Sequence, residues 1–181
     1  MTPSVSPERA IVFDVMAHPR LSIIVANFNK SAFVEATLRS ALAQGDDTQI
    51  VVVDDASTDD SLSIIRRMAE NDPRIVVVAL AENRGQSFCE NRGLERAEGD
   101  YVIYLDSDDA LAPGCGARRL EIAARDPDAD MWIFPMSTFT TVPEEATPAW
   151  TPRDTDHLRR VLAHRLDWQL MQTLWRTSFL R

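Results

Sequence analysis

Four nearly unbroken apolar runs of strand length mark the chain, at residues 21–26, 50–53, 75–80 and 101–105. Runs without polar alternation belong to strands covered on both faces of a parallel sheet. Between them, polar turn material leads into stretches whose apolar positions recur at helical spacing: Phe33, Val34, Leu38, Ala41 and Leu42; then Leu62, Ile65, Met68 and Ala69; then Phe88, Cys89 and Leu94. Gly45, Asn71-Asp72-Pro73 and Gly99 close these three helices. Pro113 and Gly114 open a fourth around residues 120–124, and residues 131–134 read as a fifth strand. Strands alternating with helices predict an α/β fold with a mostly parallel sheet and helices on both faces. Beyond Pro135 the pattern weakens. A Thr- and Pro-rich loop is expected over 137–152, a helix over 154–170 carrying Leu158, Val161, Leu162, Leu166 and Leu170 on one face, and a short apolar stretch over 174–180.

Composition narrows this further. With 45% hydrophobic and 26% charged residues, the 181-residue chain has an ordinary globular make-up and suits one α/β domain. No apolar run approaches bilayer-spanning length, and the first residues lack the basic and apolar regions of a secretory signal. A formal net charge of -9 argues against a nucleic-acid backbone as partner. Two cysteines, Cys89 and Cys115, without knuckle spacing argue against a disulfide framework or structural zinc. Eighteen of the nineteen basic residues are arginine; the single lysine is Lys30.

The chemistry gathers at strand ends. In an open α/β sheet, ligands bind beyond the carboxyl ends of the strands. Here the first, second and fourth strands run into Ala26-Asn27, Asp54-Asp55 and Asp106-Ser107-Asp108-Asp109. Aspartates after strands commonly do no more than cap the next helix. Three such ends on one edge, however, crowd carboxylates whose mutual repulsion a cation would relieve. Asp106 and Asp108 can turn toward one hard ion, and oxygen ligands of this kind suit Mg²⁺ or Mn²⁺ with phosphate completing the shell. The pattern points to a metal-dependent binder of a phosphorylated or nucleotide ligand. No G-x-G-x-x-G follows the first strand, no P-loop occurs, and no G-x-S-x-G elbow is present. A phosphorelay receiver would need a lysine after its last strand, whereas Lys30 lies in the first loop.

Residues 21–44, 51–59 and 83–109 together resemble, in order and spacing, the inverting glycosyltransferases of family 2, which have the GT-A fold. Residues 174–180 resemble a stretch found in the acceptor half of such enzymes. The resemblance implies a lead-in over 1–19, a nucleotide-sugar donor half over 20–114 and a partial acceptor half over 115–181. It implies metal-dependent transfer of a sugar, UDP-linked by preference and dTDP- or GDP-linked otherwise, to an acceptor hydroxyl with inversion. Ala26 and Asn27 would line the base and ribose pocket. Asp54 and Asp55 would hold base or ribose, with Asp54 favoured for the base. Asp106 would reach ribose or metal, Asp108 would ligate Mn²⁺ or Mg²⁺, and Arg84 would approach the diphosphate. Asp109 either orients the site or caps the next helix. Lys30 lies near the anionic ligand by position. Where the family commonly has Ala-Arg-Asn-x-Gly, this chain has Cys89-Glu90-Asn91-Arg92-Gly93, so Glu90 stands in place of an arginine.

The family's general base usually follows the 174–180 stretch, and the sequence stops at Arg181. The expectation is therefore a piece of a longer protein, with Asp167 the candidate base inside it and a non-catalytic nucleotide-sugar-binding domain as the alternative reading. The acceptor is expected to be a glycan, a lipid-linked group or a small molecule. The expected location is the cytoplasm, at the inner face of the membrane through peripheral association.

Overall fold

The computed structural model of the chain describes residues 21–134 and 173–181. The lead-in, the loop expected over 137–152, the helix expected over 154–170 and Asp167 lie outside the described residues. In order, the elements are β1 (Leu21–Asn27), α1 (Val34–Leu42), β2 (Thr48–Asp54), α2 (Ser61–Asn71), β3 (Ile75–Ala79), α3 (Gln86–Leu94), β4 (Tyr101–Asp106), α4 (Cys115–Arg125), β5 (Met131–Ile133), β6 (Thr173–Arg176) and the single turn α5 (Thr177–Leu180). They build one six-stranded sheet in the order β3-β2-β1-β4-β6-β5. β1 lies inside the sheet, parallel to β2 and β4, and β3 continues the parallel set.

Strand alternation divides the core in two. Ile23, Val25, Ile50, Val52, Ile103 and Leu105 face the side that holds Val34 and Leu38 of α1, Ile65 of α2 and Ala123 of α4. Ile24, Val51, Val53, Val102 and Tyr104 face the side covered by Cys89 of α3. Apolar residues therefore face both sides along the central stretches of β1 and β2, which is why the sequence reads there as continuous runs.

The last strand departs from simple βαβ repetition. β6 enters between β4 and β5 and runs antiparallel to both. Thus β5, which follows β4 in sequence with only α4 between them, never pairs with it.

The chain leaving β4 is held against α1. Thr37 Oγ1 donates to the Ser107 carbonyl at 2.9 Å, and Leu111 N–H donates to Ser40 Oγ at 3.0 Å. Gly116 N–H donates to Gln44 Oε1 at 2.8 Å. These bonds fix the course of the segment that carries Asp108.

Candidate functional site

Register places the polar strand ends side by side. Asn27 at the end of β1 is opposite Asp54 on one flank, and Ala26 is opposite Asp106 on the other. A cleft of about 230 Å³ opens over this edge, lined by Ala26, Asn27, Phe28 and Lys30 from β1 and its loop. Asp55, Gln86 and Cys89 contribute from one direction, and Asp106, Ser107 and Asp108 from the other.

The two adjacent aspartates after β2 have different jobs. Asp54 is fully buried at 0% exposure and is not among the cleft-lining residues. Its carboxylate accepts Asn27 Nδ2 at 2.8 Å, Ser57 N–H at 3.0 Å and Ser57 Oγ at 2.7 Å. It ties β1 to the turn after β2, and its carboxylate is occupied there rather than on the cleft. Asp55 does line the cleft. Its two oxygens accept the backbone N–H groups of Arg84 and Gly85 at 2.7 and 2.8 Å. Gly85 has φ +87°, a conformation that favours glycine, and its turn delivers the chain into α3.

Arg84 contributes to that turn through its backbone. Its guanidinium pairs with Glu82 at 2.9 Å and lies 4.7 Å over the Phe88 ring, and the residue is not among those lining the cleft.

Two loops are laced together beside the cleft. Asn29, with φ 52°, accepts Thr58 N–H at 2.8 Å through Oδ1. Ser57 Oγ accepts Asn29 N–H at 3.0 Å and Asn27 Nδ2 at 3.2 Å. Ala56 sits in the same left-handed region at φ 57°, where a Cβ atom is crowded. Ala56→Gly is expected to stabilise the fold by about 1 kcal/mol, the relief outweighing glycine's extra unfolded-state freedom. Thermal unfolding should show a rise of roughly 2–4 °C.

Electrostatics concentrates on the acidic side. Burial raises the Asp106 carboxyl above the ordinary carboxylate value and the Asp108 charge adds to this, while Gln86 and Lys30 offset it. Burial likewise raises Asp109, with Asp108 and Asp106 contributing. Gln86 Nε2 bridges Asp106 Oδ1 and Glu90 Oε1, at 3.0 Å to each. Glu90, in the place of the family's arginine, is thus joined to Asp106 through one amide. Burial pushes the Cys89 thiol up to about 12, with Asp55 reinforcing it, so this cysteine is not a ready nucleophile. Lys30 Nζ lies 2.6 Å from Asp108 Oδ2.

The donor set fits a hard divalent cation. Asp106 and Asp108 face one cleft, and the Asp108 charge helps hold the Asp106 carboxyl above its ordinary value. Among the described residues, no His, Cys, Asp or Glu joins them in a three-residue ligand group. Two carboxylates with the remaining positions left to water and phosphate oxygens is the arrangement Mg²⁺ and Mn²⁺ accept.

Sequence reasoning passed over Phe28 and Gln86. Phe28 is an apolar ring left 44% exposed on the cleft. Such exposure of a large aromatic beside a strand end was available only from the structure. Gln86 is distinguishable in sequence only as the first residue of a helix.

The strand order, the parallel core and the cleft at the carboxyl edge define a GT-A glycosyltransferase fold. The structure of S. aureus TarS 1-349 in complex with UDP superposes with a TM-score of 0.71 at 26% identity, covering 89% of this chain and 48% of that one. The mannosyltransferase PcManGT from Pyrobaculum calidifontis, in complex with GDP-Man and Mn²⁺, gives 0.61 at 30% identity over 67% of this chain and 37% of that one. The profile of Glycosyl transferase family 2 matches residues 22–169, and the chain belongs to that family. Among curated relatives, the GalNAc(5)-diNAcBac-PP-undecaprenol beta-1,3-glucosyltransferase of Campylobacter jejuni is 37% identical over 99 residues, 53% of this chain and 32% of its own length. The succinoglycan biosynthesis protein ExoO of Rhizobium meliloti is 36% identical over 106 residues, 58% of this chain and 30% of its own. The chain thus spans about a third of the length of the curated relatives it matches.

Proposed function

We propose that the chain carries the nucleotide-sugar site of an inverting glycosyltransferase that moves a sugar from a nucleoside diphosphate, UDP by preference, to an acceptor hydroxyl. The observation that carries this reading is the convergence of Asp106, Asp108 and Lys30 with the exposed ring of Phe28 in one cleft, in a chain of this family. Phe28 offers a face for the base, and Asn27 and Asp55 bound the pocket beside it. Asp106 and Asp108 would hold Mn²⁺ or Mg²⁺, leaving its remaining positions to water and phosphate oxygens. A divalent cation bound there supplies Lewis-acid stabilisation of the charge that develops on the departing diphosphate. A carboxylate must take the acceptor's proton on the face opposite the leaving group, and Asp167 is the candidate for it within this chain. The Campylobacter relative's name describes a lipid-linked acceptor, and an acceptor of that kind would bring this chain to the cytoplasmic membrane surface. No helix among the described residues is long and apolar enough to cross a membrane.

Calorimetric titration with UDP, dTDP and GDP, each with Mn²⁺ and with EDTA, tests the reading. UDP is expected to bind most tightly, with roughly tenfold or greater loss in EDTA, comparable to other coupled sites. A folded chain that binds none of the three would overturn it.

A further inference from the structure

Lys30 is the sole lysine of a chain that otherwise carries arginine at every basic position. Its ammonium lies 2.6 Å from Asp108 Oδ2, joining residues 78 apart in sequence. The backbone beneath it is pinned. Lys30 N–H donates to Ser61 Oγ at 2.9 Å, Ser31 N–H donates to Asp59 Oδ2 at 2.9 Å, and the Lys30 carbonyl accepts from Phe33 and Val34 at 2.9 and 3.0 Å. Opposite, the chain leading to Asp108 is tied to α1 through Ser107. Two fixed loops therefore present the ammonium and the carboxylate to each other. Lys30 itself is 39% exposed, which leaves its flexible stem room to redirect the charge.

This placement sets a charge conflict. A divalent cation held by Asp106 and Asp108 would bring its charge close to Lys30, whose ammonium lies against the same Asp108 carboxylate. Like charges at that range repel, and a partly enclosed cleft screens them less than water does. A diphosphate reverses the balance, because its oxygens serve both cations together. A compact ammonium on a flexible stem can follow the diphosphate as a point charge. We infer that Lys30 makes the divalent-cation site conditional on the donor's diphosphate, so that cation and nucleotide enter with strong mutual dependence. This rests on the reading of Asp106 and Asp108 as the cation site. Lys30 acts here as a charge-balancing residue, and by linkage the same dependence appears whichever ligand is varied.

The test is a titration of the 181-residue chain with Mn²⁺, following the paramagnetic resonance of the free ion, with and without saturating UDP. Wild type, Lys30→Met, Lys30→Gln and Lys30→Arg are compared, with matched melting curves to establish folding. In wild type, UDP is expected to tighten Mn²⁺ binding by roughly 10- to 100-fold. In Lys30→Met, Mn²⁺ alone should bind about 3- to 10-fold more tightly, and the enhancement by UDP should shrink by about tenfold. Lys30→Gln carries the same expectation and decides the matter should the methionine variant fail to fold, while Lys30→Arg should keep most of the dependence. An unchanged enhancement in Lys30→Met or Lys30→Gln overturns the inference, as does weaker binding of Mn²⁺ alone, which would mean that Lys30 only holds Asp108 in place. Wild type that binds Mn²⁺ equally with and without UDP also overturns it but leaves the cation site standing. Wild type that binds neither removes both readings.

Discussion

Asp108→Ala is expected to abolish the cation-dependent part of nucleotide binding while leaving the fold nearly as stable as before. Both halves follow from where Asp108 sits. Its side chain is 40% exposed on the loop after β4, and the contact it makes is the exposed pair with Lys30. Exposed pairs contribute about 0–1 kcal/mol, so thermal unfolding should change little. The binding loss is of another order. The cleft offers a divalent ion two carboxylates, and Asp108 is one of them. Groups that merely orient a metal ligand already cost roughly 10–100-fold when removed. Loss of a ligand itself should exceed that, more than ~100-fold in UDP affinity measured with Mn²⁺ by calorimetry. In EDTA the variant and the wild type should differ little. If Asp108→Ala kept its Mn²⁺-dependent affinity within about threefold, the cation would have to be held elsewhere.

The second large effect belongs to the core. At Gly93 in α3, an added Cβ would lie 2.3 Å from Ile24 Cγ2 in β1. Both partners are buried, and Ile24 is at 1% exposure in the interior of the sheet. Alanine would gain about 1 kcal/mol of helix propensity over glycine. Overpacking of a buried helix–strand contact costs about 1–3 kcal/mol and more where the backbone must shift. With the methyl so far inside contact distance, the clash wins. Gly93→Ala should lose about 2 kcal/mol, and Gly93→Val more. The origin can be isolated with a double-mutant cycle. Ile24→Ala removes the obstructing methyl, so Gly93→Ala should cost distinctly less in that background. Additive losses would place the strain in the helix rather than at the contact.

These two sites were not equally visible in the sequence. The continuous apolar runs of β1, β2 and β4 announced a parallel sheet, and the polar residues at their ends announced an edge where ligands gather. The spacing of Asp106 and Asp108 needed no structure to stand out. Asp54 and Asp55, by contrast, look interchangeable in sequence. They separate only once register sets Asp54 opposite Asn27, within the sheet, and leaves Asp55 one step beyond, facing the cleft. The pairing of Lys30 with Asp108 and the bridge from Gln86 to Asp106 join distant segments, and nothing local signals them. β6 was equally hidden. Its four residues contain one strong apolar pair, Leu174-Trp175, and its place between β4 and β5 is decided by edges that only the assembled sheet provides.

That late strand imposes an order of assembly. As a nascent chain emerges, β1 to β4 and the helices between them can close on one another with short sequence separations, giving a nucleus of low loop-closure cost. β5 cannot join this nucleus when it is made, because the strand that bridges it to β4 has not yet been synthesised. Until residues 173–176 arrive, the open side of β4 stays unpaired, offering the hydrogen-bonding template on which other chains can add. Translation stalled before that point would expose it. Expression yield should therefore fall more steeply for chains stopped at residue 170 than their small loss of core would suggest.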